Sequence, residues 1–257
     1  MLIAVVGSSG LNRVEGITAE HPAALLQADA ATSAGHVLLL APWYAESVAK
    51  EQAHVLIAAS PRTSVAVLTP RHHPLSLALI GAAALQSAGT DADPGLVVAL
   101  VNAAVARSRS LVWYPRVWGL REPSPTAGQL LASTFRSPGY FREIATEPAL
   151  VPAKAGSPVA PTDEVYVAGN SPALLHRHLG GAVVRLAPIE LEPDQPYATK
   201  SAIPMTVLAG TGLPQGSEPP CPSCDARLVA GGCLFCCHAA SAAQPRQVLE
   251  SSITVKG

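Results

Sequence analysis

The stretch HVLLLAPWYAESVAKEQAHVLIAASPRTSVAVLTP, residues 36–70, decides the fold. His36–Leu40 and Ser64–Leu68 are short apolar runs with no polar alternation. Such runs predict strands covered on both faces, the pattern of a mostly parallel sheet. Between them Trp43–Ala53 reads as a helix, and the apolar run His54–Ala58 reads as a further strand. The same alternation extends in both directions. Upstream, Leu2–Val6 reads as a strand and Pro22–Ser33 as a helix. Downstream, Pro74–Ser87, Pro94–Ala106 and Thr126–Phe135 read as helices, two of them opening on a proline that suits a first helical turn. Leu111–Tyr114, Glu164–Ala168, Val183–Leu186 and Met205–Leu208 read as later strands. The expectation is an α/β fold: a mostly parallel sheet with helices on both faces, plus a small C-terminal cysteine module.

The chain of 257 residues is 49% hydrophobic, 14% charged and 4% aromatic, with a formal net charge of −1. That composition supports a sizeable core and excludes a globally basic nucleic-acid coat or an acidic tail protein. The apolar N-terminal run lacks a basic flank and is too short for a secretory leader, so a cytoplasmic protein is expected. PLSLALIGAAALQSAGT, 74–90, and GLVVALVNAAVA, 95–106, are the most membrane-like stretches. Both are shorter than the roughly 20 apolar residues of a span, and a buried helical pair is the reading preferred to a membrane hairpin. The predicted organisation is an α/β domain over 1–147, a Pro-rich linker or long loop over 148–161, and a βαβ-like continuation over 162–212. A hinge follows at 213–220, then the cysteine module and a tail strand at 221–257. The oligomeric state is not legible.

All five cysteines fall between 221 and 237, in CPSCDARLVAGGCLFCCH. Cys221/Cys224 and Cys233/Cys236 form two C-x-x-C pairs. Clustering of this kind indicates metal or redox chemistry rather than a disulfide framework. A redox C-x-x-C belongs at a strand–helix junction, whereas this one follows a Pro-rich hinge; an iron–sulfur cluster would also take four thiolates. The segment resembles the short zinc-ribbon family, with Pro222 in the family's usual place. That resemblance implies a tetrahedral Zn²⁺ site on Cys221, Cys224, Cys233 and Cys236. It departs from the pattern at Asp225 and Cys237, where the family often has glycine at positive φ. Asp tolerates that geometry better than Cys, so Cys237 or His238 could replace Cys236 as fourth ligand. Ribbons usually dock on nucleic acid or protein, and the resemblance therefore implies a soluble binding or adaptor protein with such a partner.

Other residues carry weaker signals. VVGSSG places Gly7, Ser8, Ser9 and Gly10 after the first strand, where backbone N–H groups could cradle a phosphate. The turn lacks the Lys-Ser/Thr of a P-loop and the third glycine of a dinucleotide fingerprint. It supports the alternative of an enzyme acting on a nucleotide or phosphorylated small molecule, with His72 and His73 of TPRHHP beside it. Those histidines read equally as polar residues at a helix start. Residues 107–142 hold six arginines against one glutamate, a local +5 that leaves −6 elsewhere, together with six of the eleven aromatics. Arg107, Arg109, Arg116, Arg121, Arg136 and Trp118 are the candidate anion or partner patch. The plainer reading is that the aromatics fill a core while the arginines reach outward. Glu190, Glu192 and Asp194 read as the solvent face of an extended segment.

Overall fold

The computed structural model describes residues 1–6, 17–18, 35–60, 62–89, 93–121, 123–135, 139–145, 149–168, 173–187, 201–208, 219–229 and 232–236. The Gly7–Gly10 turn, the helix expected over Pro22–Ser33, Glu122, Arg136, Glu190, Glu192, Asp194, Cys237, His238 and the tail strand lie outside them.

Two sheets form the architecture. The first is parallel, in the order β2-β1-β3-β4, from β1 (Leu2–Val5), β2 (Ile17–Thr18), β3 (His36–Leu40) and β4 (Ser64–Leu68). Its register sets Leu2 opposite Val37 and His36 opposite Ser64. A single turn at Trp43–Ala45 leads into helix α1 (Glu46–Ala59), which follows β3 and covers this sheet. The strand expected at His54–Ala58 is the last part of α1. Ala49, Ala53 and Leu56 recur at helical spacing and are buried, while Val55 and Ile57 face solvent. A β-branched run can thus serve a helix once its small neighbours supply the buried stripe.

Helices α2 (Pro74–Ala88) and α3 (Pro94–Arg107) pack on one another. α2 also touches β1 and β3 of the first sheet and strand β10 (Ile203–Leu208) of a second sheet. It is sandwiched, which explains why it is apolar all round, with Leu75, Leu77, Ala78 and Ile80 fully enclosed. Among the described residues no helix is long and apolar enough to cross a membrane.

The second sheet has the order β7-β6-β5-β10-β8-β9. Its strands are β5 (Arg109–Tyr114), β6 (Tyr140–Glu143), β7 (Val151–Pro152), β8 (Glu164–Ala168), β9 (Val183–Ala187) and β10 (Ile203–Leu208). Every pairing is antiparallel except β8 with β9. Helix α4 (Ala127–Phe135) joins β5 to β6, and α5 (Ala173–His178) joins β8 to β9. The architecture is therefore α/β with a mixed sheet, which corrects the expectation of a mostly parallel one. β5 is buried along almost its whole length although both its partners run antiparallel. An unbroken apolar run reports burial on two faces, not strand direction.

Candidate functional site

The loop TPRHHP carries the chain from β4 into α2 and under the second sheet. His73 is the N-cap residue of α2, in extended conformation, and Pro74 follows where a missing N–H costs nothing. Its Nδ1 accepts from the Ser76 backbone N–H at 3.1 Å. The ring therefore carries its proton on Nε2, which donates to the Met205 carbonyl on β10 at 2.8 Å. Ser76 Oγ lies 2.8 Å from Thr206 Oγ1 of β10. Ser110 of β5 donates to Ser76 Oγ at 2.6 Å. His72 closes the array, with Nδ1 2.7 Å from Ser110 Oγ and Nε2 3.2 Å from the Val105 carbonyl of α3. The Val105 carbonyl can only accept, so it takes the Nε2–H of the neutral ring, and Nδ1 faces the Ser110 hydroxyl.

This array is buried between the α2 N-terminus and the middle of the second sheet. Ser76, Ser110, Thr206 and His73 are fully enclosed, and His72 nearly so. It contains no carboxylate, lysine or arginine. Burial pushes the His73 imidazole down to about 4, against its bond to Met205. Burial also lowers His72, partly offset by the Val105 carbonyl. The sequence singles out the two histidines. It gives no sign of Ser76, Ser110 or Thr206, because the three hydroxyls come from α2, β5 and β10 and meet only through topology.

The predicted arginine–aromatic patch resolves differently. Trp113, Tyr114, Tyr140 and Phe141 are buried in the second sheet, while Trp118 and Phe135 are exposed. Arg109 makes a paired 2.8 Å contact with Glu143 and donates to the Pro158 carbonyl at 2.8 Å. Hydrogen bonding from Arg109 holds the Glu143 carboxyl below its usual range. That partner sits one residue beyond the segment whose charge was counted. Arg107, Arg116 and Arg121 are exposed.

The cysteine segment forms a compact two-knuckle unit. Cys221 N–H donates to Ala226 at 2.8 Å and Asp225 N–H to Cys221 at 2.9 Å, closing the first knuckle. Asp225 has φ 60°, the positive-φ position expected after a C-x-x-C pair. The four Sγ atoms of Cys221, Cys224, Cys233 and Cys236 lie within 4.8 Å of one another and could hold a metal ion. Cys221 faces Cys236 at 3.4 Å, and Cys224 faces Cys233 at 3.4 Å, and none of the four is joined in a disulfide. Cys236 thus takes part in the cluster. Burial raises the Cys221 thiol, but N–H groups of Ser223 and Cys224 and the neighbouring thiols outweigh it and bring it to about 6. Burial pushes Cys224 up to about 12.

Comparison with known proteins places the fold. No described sequence family and no curated protein matches the chain. Solved structures do match. A DegV-family protein from Eubacterium eligens loaded with heptadecanoic acid has TM-score 0.55 at 9% identity, covering 82% of this chain and 100% of its own. A DegV-family protein from Corynebacterium glutamicum gives 0.55 at 13% identity, covering 83% and 98%. A DegV-family protein from Thermus thermophilus, described by its fatty-acid binding, gives 0.51 at 12% identity, covering 82% and 100%. The fold is that of these proteins. The expectation of an adaptor docking protein or nucleic acid through a zinc ribbon is corrected by this finding, as is the nucleotide-enzyme alternative. Two of these three neighbours are described with a fatty acid, and Ala226, Leu228 and Phe235 of the cysteine segment are packed into the core of this molecule.

Proposed function

We propose that this chain binds a long-chain carboxylic acid, with the carboxyl end at Ser76, Ser110 and Thr206 and the hydrocarbon along the apolar cluster around α2. The observation that carries the reading is the array itself: rotatable hydroxyls, a helix N-terminus and two imidazoles enclosed by apolar side chains, without a fixed charge. A carboxylate only accepts hydrogen bonds, and hydroxyl rotors can turn to donate to it. Exchanging hydroxyl–hydroxyl bonds for hydroxyl–carboxylate ones gains shorter, roughly twofold stronger contacts. Burial of the hydrocarbon among residues such as Leu75, Leu77, Ile80 and Val101 supplies the affinity, at about 0.8 kcal/mol per methylene. The fold likeness to fatty-acid-loaded proteins supports the same reading.

The four thiols, in this reading, hold zinc. A tetrahedral site with Zn–S near ~2.3 Å has sulfur–sulfur edges of ~3.8 Å. The separations here, from 3.4 Å to at most 4.8 Å, bracket that value. Soft thiolates in this number favour zinc over harder cations. The role is structural, remote from the carboxyl site.

Mass spectrometry of an organic extract of the purified chain tests the main reading. We expect a fatty acid in near-stoichiometric amount, and its retention reduced about tenfold in Thr206→Val, the loss expected for a buried contact of about 1.4 kcal/mol. A protein that yields no acid, and whose melting is unmoved by added heptadecanoic acid, would rule the reading out.

A further inference from the structure

The cysteine segment does more than gather four thiols; its other residues are fitted to the body. Asp93, the N-cap of α3, accepts on one oxygen from Gly95 N–H at 2.8 Å, Leu96 N–H at 3.1 Å and the ribbon's Arg227 N–H at 2.9 Å. One carboxylate oxygen thus starts a helix and receives the ribbon. Gly95 lies directly beneath Arg227. A Cβ there would come within 2.6 Å of the Arg227 carbonyl carbon and amide nitrogen, a separation real Cβ atoms do not show. Phe235, between the second pair of cysteines, stands edge-on to the His36 ring at the start of β3, with centroids 4.9 Å apart. Cys221, Ala226, Leu228, Cys233 and Phe235 are buried in the same apolar cluster as Val97, Val98 and Leu100 of α3.

The segment cannot hold this shape by itself. Its described backbone pairing amounts to the bridges Pro220–Arg227 and Val229–Gly232. A unit so short lacks a core of its own and depends on metal for its fold. We infer that the metal ion and the seat on α3 form one coupled latch: the ion sets the two knuckles in the shape that fits Asp93, Gly95 and His36, and the seat in turn tightens the ion. This rests on the zinc reading above. The latch closes the end of the α2–α3 pair opposite the hydroxyl array. His72, just before α2, meets Val105 near the end of α3, so the helices run antiparallel. The ten residues from Gly95 to Val105 separate that contact from the ribbon by about 15 Å. Zinc therefore governs whether the far end of the apolar core is covered, without touching the carboxyl site.

Linkage makes the idea testable at residues that touch no thiol. If the seat strengthens metal binding, spoiling the seat must weaken it by the same factor. Gly95→Ala is the informative variant, because alanine favours the helix and the atoms nearest its Cβ all belong to Arg227. The experiment is chelator competition on the full chain loaded with zinc. We expect Gly95→Ala to hold zinc roughly 5–150-fold more weakly, the usual range of a coupling between sites. Gly128→Ala, where a Cβ meets nothing closer than Thr126 Oγ1 at 4.0 Å, is the control and should bind zinc like the wild type. In parallel, zinc removal should speed hydrogen exchange at the Gly95 and Leu96 amides at least tenfold. Wild-type zinc affinity in Gly95→Ala overturns the latch and leaves the zinc site standing. A wild-type chain that takes up no zinc overturns both. If chelation leaves the α3 amides as protected as before, the ribbon is seated without the metal and the latch is again refuted.

Discussion

Ser110→Ala is the sharpest test of the buried array. The Ser110 side chain is wholly enclosed and bonds His72 Nδ1 at 2.7 Å and Ser76 Oγ at 2.6 Å. Alanine removes the hydroxyl and leaves both partners buried. Ser76 keeps Thr206 at 2.8 Å and His73 Nδ1 at 3.3 Å, so its loss is one contact of three. His72 Nδ1 keeps nothing, and an orphaned buried polar atom costs about 1–3 kcal/mol. The gap left behind is smaller than a methylene and adds little. The expected loss is therefore about 2–3 kcal/mol. At about 2–4 °C per kcal/mol for a chain of this size, Tm falls by about 4–12 °C. Urea unfolding, followed by circular dichroism, gives the free energy directly. The double variant Ser76→Ala/Ser110→Ala supplies the internal check. The two serines share a bond, so the combined loss should fall short of the sum by about 0.5–3 kcal/mol. A single-variant loss below about 0.5 kcal/mol, the level of an ordinary surface change, would refute the array. So would strict additivity in the double variant.

Burial and backbone geometry give two more expected outcomes. His73 is held down to about 4 in the folded chain, against an ordinary 6.5, chiefly by burial. The unfolded chain then binds more protons between those values, so stability present at pH 7 is lost as pH falls from 6.5 towards 4. The slope approaches 1.4 kcal/mol per pH unit and the total about 3 kcal/mol. Urea midpoints across that range measure it, and a His73→Gln chain with an undiminished slope would contradict the assignment. Gly139 has φ +88°, and a Cβ there would lie 2.7 Å and 2.9 Å from Cε2 and Cζ2 of the buried Trp113 ring. Gly139→Ala should cost about 2–4 kcal/mol from backbone strain and overpacking together, read as a fall in Tm; an unchanged Tm would mean the indole is placed elsewhere.

Where sequence succeeded, the signal was local. β3, β4, β8 and the two helices after the TPRHHP loop are legible because proline, chain polarity and an apolar run coincide within one window. Strand direction in the second sheet is not local. β5 pairs with β10 across about ninety residues, and nothing inside RSLVWY records that its neighbour runs antiparallel. The misassigned run at His54–Ala58 failed for a related reason: its buried stripe is carried by Ala49 and Ala53 upstream of it.

The same distinction governs the site. The four cysteines are recognisable because a metal knuckle draws its ligands from adjacent turns, so the chemistry is written as a spacing. That legibility drew the functional reading towards the ribbon, whose apolar faces are turned inward onto α3 and His36. The hydroxyl array has no spacing to read. Ser76 and Ser110 are separated by 34 residues and Ser76 and Thr206 by 130, and each is an unremarkable serine or threonine in an apolar segment. A site for an uncharged or singly charged, mostly hydrocarbon ligand needs few polar groups, and those few must be neutral to be buried without a counter-charge. Such a site is made of the residue types that carry least information in sequence. For the proposed lipid site the trace in the sequence is HH in front of a helix too apolar for the surface: two imidazoles that burial keeps neutral at the start of α2.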